Sequence, residues 1–63
     1  MLSVEQHAAL VALTRAGEVT SSQLATELEI SRTHARHLLL ALVEHGHASA
    51  RLSLRARVVY RAT

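Results

Sequence analysis

The stretch TSSQLATELEISRTHARHLLLALVEHG, residues 20–46, decides how this chain is read. Its apolar residues fall into two helical sets separated by a short break. Leu24, Ala25 and Leu28 make the first set. Ala35, Leu38, Leu39 and Leu42 stand at i, i+3, i+4 and i+7 and make the second. Thr20 and Gln23 form a capping box, which places the first helix over about residues 21–27. Glu29, Ile30 and Ser31 make the turn, with Ile30 plugging the space between the helices. Ser31 is a natural cap for a second helix running from Arg32 to about His45, and Gly46 stops it. The leucine stripe of that helix leaves Arg32, Thr33, Arg36, His37 and Leu40 pointing largely away from the core.

Two helices across a tight turn, the second with a polar, arginine-bearing outer face, read as a helix-turn-helix. Its second helix enters the major groove of DNA. Upstream, Ser3 and Gln6 form another capping box, so a first helix is expected over residues 4–16, ended by Gly17. Leu10 and Leu13 centre its apolar stripe, joined by Ala9 or Val11. Val19 begins a short extended link that often serves such folds as a third strand. Downstream, HASARL and RVVYRA alternate with period two, which predicts strands near 47–52 and 57–62. Ala48, Ala50, Val58, Tyr60 and Ala62 line one face of that hairpin, leaving Arg51, Arg55, Arg57 and Arg61 outside or at the tip. The connection at 53–56 contains no Gly, Asn, Asp or Pro, the residues that turns favour. The fold class expected is α+β, a winged helix-turn-helix. It comprises a three-helix bundle with a C-terminal β-hairpin wing, forming a single domain over 1–63.

Charge follows the same division. Residues 1–30 hold four glutamates against Arg15, a balance of −3; residues 31–63 hold six arginines against Glu44, a balance of +5. The net +2 is therefore concentrated on the second helix of the pair and the hairpin, an electrostatic footprint for a polyanion. All seven basic residues are Arg, the side chain best suited to bidentate contact with phosphate or guanine. The candidate DNA-binding residues are Arg32, Thr33, His34, Arg36 and His37 on the helix, with Arg51, Arg55 and Arg57 on the hairpin.

VTSSQLATELEISRTHARHLLLALVEHGHA resembles the winged-helix superfamily of bacterial transcription regulators, and the resemblance extends over nearly the whole chain. Within that superfamily the chain is similar to the small fimbrial-operon regulators, the PapI/FaeA-like family. Ala35, Arg36, Leu38, Leu39, Leu40, Leu42, Gly46, Arg55 and Tyr60 carry the likeness. The chain departs from that pattern in lacking lysine and in having no glycine or proline at the hairpin tip. The resemblance implies a transcriptional role beside a larger DNA-bound regulator, with DNA contact by Arg36 and its neighbours on the helix face and by Arg55 in the wing.

Other chemistries find little support. There is no phosphate-binding glycine loop, no close carboxylate pair and no nucleophile with a base and an orienter, so the chain is not read as an enzyme. No cofactor is called for. With no cysteine, disulfides and thiolate metal sites are excluded. His34 and His37 stand at i, i+3, but nothing clearly completes a metal site, and the pair reads instead as polar groups on the DNA face. No apolar run nears the ~20 residues of a membrane span, and the start lacks a signal peptide's pattern. The expectation is a cytoplasmic protein whose partner is double-stranded DNA. It would be a monomer or weak homodimer, because no long dimerisation helix follows the hairpin and the outer face of helix 1 is polar. The competing reading is a protein–protein interaction module or co-regulator without direct base reading, served by exposed Leu40 and Val43.

Overall fold

The structure is a computed structural model describing residues 1–63. Its elements in chain order are α1 (Val4–Ala16), β1 (Glu18–Val19), α2 (Ser21–Leu28), α3 (Arg32–Glu44), β2 (Ala48–Leu52) and β3 (Val58–Ala62). The three strands make one antiparallel sheet in the order β1-β3-β2. The link at Val19 is thus the third strand, pairing Glu18 with Arg61 and Val19 with Tyr60.

Each helix begins where a side-chain oxygen accepts a backbone N–H that the helix cannot satisfy. Ser3 with Gln6 and Thr20 with Gln23 form complete reciprocal boxes, and the Ser31 hydroxyl accepts from the His34 N–H. The ends of α2 and α3 share one hydrogen-bond pattern. After α3, Gly46 takes φ +80°, its N–H donates to the Val43 carbonyl and the His47 N–H donates to that of Leu42. After α2, Glu29 takes φ +56°, its N–H donates to the Thr26 carbonyl and the Ile30 N–H donates to that of Ala25. Both are Schellman terminators, built once with glycine and once without. The second turns the chain between the two helices and lays Ile30, half-buried, against the core.

The core is aliphatic except for Tyr60. Leu13, Leu24, Leu39 and Leu42 are its largest fully buried side chains, joined by Ala9, Ala35 and Leu38 from the helices and Val19, Ala48 and Tyr60 from the sheet. In α1 the buried pair is Ala9 and Leu13; Leu10 is half-buried and Val11 exposed. In the hairpin, Ala48 faces Ala62, Ala50 faces Tyr60 and Leu52 faces Val58, so the expected set shares one side of the sheet. Burial fades along it. Ala48 and Tyr60 are buried, but Ala50, Leu52 and Val58 are exposed, because the hairpin outruns the helices. Val59 is buried on the opposite side, where its partner in the sheet is Arg51 of β2. No helix is long and apolar enough to cross a membrane.

Candidate nucleic-acid interface

The core stripe of α3 faces α1 and α2, which fixes the helix's other side toward solvent and the hairpin. There a groove of about 970 Å³ runs between α3 and the sheet. Arg32, Thr33, Arg36 and Leu40 form one wall, and Ala50, Arg57 and Val58 form the other. Thr20, Ser21 and Ser22, at the start of α2, close one end. No acidic side chain lines it. Three arginines and five hydroxyl-bearing residues, Thr20, Ser21, Ser22, Thr33 and Tyr60, therefore share one open surface, an arrangement suited to phosphate oxygens and base edges.

The residues expected at such an interface divide by position. Arg32, Thr33 and Arg36 meet Arg57 across the groove. His37 is exposed on α3 outside the groove lining. Arg55 stands exposed in the connection between β2 and β3. His34 faces the other way, its Nε2 lying 2.8 Å from the Glu5 carboxylate of α1. Arg51 follows Ala50 in β2 and so projects from the side of the sheet away from the helices. There its guanidinium donates to Glu18 at 3.3 Å, across the central strand. Two of the eight expected residues thus already hold an acidic partner, while Arg32, Arg36, Arg55 and Arg57 hold none.

Sequence reasoning treated Ser21 and Ser22 only as cap and first-turn residues and Tyr60 only as core, and all three line the groove. Tyr60 buries its ring, but its hydroxyl is not sealed from solvent. The signal for Ser21 and Ser22 was present in the capping box, which puts the start of α2 beside α3. Nothing in the sequence marked which side of the hairpin Tyr60 would face relative to α3. A second hollow, about 380 Å³, lies between α1, β1 and α2 and mixes Arg15 with Glu18 and Glu27. It shares no lining residue with the groove. No three His, Asp or Glu side chains converge as a metal site would require.

No family model matches the chain, and no curated protein matches it in sequence. Among solved structures it is similar to one described as "Multiple Antibiotic Resistance Repressor, MarR". The TM-score is 0.84 and the identity 19%, over 98% of this chain and 46% of that one. The chain spans about half the length of the protein it matches. At that identity the likeness speaks for architecture: three helices and a three-stranded antiparallel sheet in the winged-helix fold.

Proposed function

We propose that this chain is a sequence-specific double-stranded-DNA-binding domain acting in transcription regulation, without enzymatic activity. The observation that carries the reading is the acid-free groove joining Arg32, Thr33 and Arg36 of α3 to Arg57 of the sheet. Helix α3 lies in the major groove, where Arg32 and Arg36 read base edges and Thr33 and His37 assist. Arg55 and Arg57 neutralise phosphates on the flanking backbone. Arg51 and His34 join the contact set only when their ties to Glu18 and Glu5 open.

One recognition helix and one wing cover roughly 600–1,000 Å², the small end of specific DNA interfaces. The chain therefore works as a monomer or weak homodimer beside a larger DNA-bound regulator, in the cytoplasm. The residue likeness to the fimbrial-operon regulators at Arg36, the leucine run and Gly46 supports that division of labour. The competing reading, a protein-interaction module, draws on Leu40, an exposed leucine in the groove wall. In-vitro selection from random duplexes, followed by binding titrations, separates the two. Enrichment of one sequence, bound far more tightly than random DNA in a salt-dependent way, is the expected result; no enrichment overturns the proposal.

A further inference from the structure

The hairpin end is chemically unlike a solvated loop. Leu54 is fully exposed at its extremity, and the cross-strand pair Leu52 and Val58 behind it is also exposed. Three large apolar side chains thus project within seven residues, interleaved with Arg55 and Arg57, neither of which has an acidic partner. The segment is also stiffened. The Ser53 N–H donates to the Arg57 carbonyl at 2.7 Å, the Arg57 N–H donates to the Ser53 hydroxyl at 3.2 Å, and the Ala56 N–H donates to the Ser53 carbonyl at 3.0 Å. A braced turn with an unpartnered leucine between free cations has the chemistry of a wedge for the minor groove, where apolar side chains pry base steps apart and arginines answer the negative potential.

Reach agrees with this. Leu54 lies in the turn two residues past the end of β2 and four beyond Ala50 in the groove wall, so its backbone reaches at most roughly 13 Å from that wall, to which its side chain adds several more. Half a turn of B-DNA, the distance from a major groove to the next minor groove, is about 17 Å. Resting on the DNA-binding reading above, we infer that Leu54 enters the minor groove flanking the major groove that α3 occupies and opens a base step there, bending the duplex. The arginine content favours DNA over an anionic lipid surface or a second copy, because Arg57 belongs at once to the tip and to the α3 groove.

The test uses the full chain and a duplex recovered from the selection, labelled at both ends for energy transfer. The wild type should bend it by about 20–90°. Leu54→Ser should leave it near straight while still enriching the same sequence, and Leu54→Met, which keeps an apolar wedge, should retain the bend. A wild-type complex that is straight, or a bend equal in wild type and Leu54→Ser, overturns the inference and leaves the DNA-binding reading standing. Failure to enrich any duplex overturns both. Leu54-dependent binding to phosphatidylserine vesicles without duplex bending, or Leu54-dependent self-association in sedimentation, also overturns it, in favour of a lipid or self-contact role. Because Leu54 is fully exposed, its substitution leaves the fold intact, which circular dichroism verifies.

Discussion

Replacing Glu29 by glycine should make the protein more stable, by an amount the backbone sets. Glu29 holds φ +56°, ψ +46° in the terminator between α2 and α3, the place where Gly46 serves the end of α3. A residue with a Cβ gives up about 1–2 kcal/mol in the left-handed region. Glycine avoids that cost but loses ~0.5–1 kcal/mol more backbone entropy on folding. The difference leaves a net gain of about 0.5–1 kcal/mol. At ~4–8 °C per kcal/mol for a domain of this size, Glu29→Gly should melt ~2–8 °C above wild type. The Glu29 carboxylate makes no ion pair that the change would forfeit. It does sit at the negative end of α2, so its removal alone relieves some repulsion. Glu29→Ala controls for this: it removes the same charge and keeps the Cβ. Thermal unfolding followed by far-UV circular dichroism, at fixed protein concentration, should rank Gly above Ala. Equal melting of the two variants would refute the reasoning, because the left-handed backbone would then carry no strain that glycine relieves.

Three further outcomes follow from the site and the core. Arg36→Ala should weaken the selected duplex by about 1–3 kcal/mol and random DNA far less, whereas Arg57→Ala should weaken both alike and lower the salt slope by about one; anisotropy titrations at several salt concentrations separate these patterns. Glu18→Gln frees Arg51 and should tighten binding to every duplex, while the Glu18–Arg51 pair itself, exposed at both ends, should give a double-mutant coupling below ~1 kcal/mol. Leu39→Ala, at a fully buried site, should cost ~2–5 kcal/mol against a total of roughly 3–9 kcal/mol for a chain this size, so chemical denaturation should find the midpoint sharply lowered.

The helices were readable because their signals are local. Each of the two capping boxes and the Ser31 cap falls within four residues, and the α3 stripe follows from the helical repeat alone. The hairpin was harder. Its alternation gave the register side of Ala50 and Val58 but not their exposure, since that depends on how far the strands extend past the helices. Val59 was missed as a buried residue because it stands on the far side of the sheet, opposite Arg51, where alternation alone predicts exposure. The turn lacked any residue that favours φ > 0, yet Ala56 adopts φ +59° there, held by the hydrogen bonds around Ser53. At the site, the arginine-rich elements were legible, but not their partners. Glu5 and Glu18 lie in the acidic half of the sequence, and only the tertiary fold brings them to His34 and Arg51.

The strand order β1-β3-β2 also carries a kinetic consequence. The pairing of β2 with β3 closes a short loop, whereas the pairing of Glu18 with Arg61 joins residues 43 positions apart. Bringing such distant segments together forfeits far more chain entropy than hairpin closure does, so β1 should dock late, after α2 and α3 have packed. Val19→Ala should then accelerate unfolding and leave the refolding rate nearly unchanged, while Leu39→Ala slows refolding; a marked slowing by Val19→Ala in stopped-flow measurements would place β1 in the nucleus instead. On this order of events a transient species exists with its helical pair assembled and its sheet incomplete. Neither residue of β1 lines the α3 groove, whose second wall comes from the hairpin, whereas Glu18 and Val19 both line the hollow between α1 and α2, so competence to bind would precede the last strand to pair and that hollow would form last.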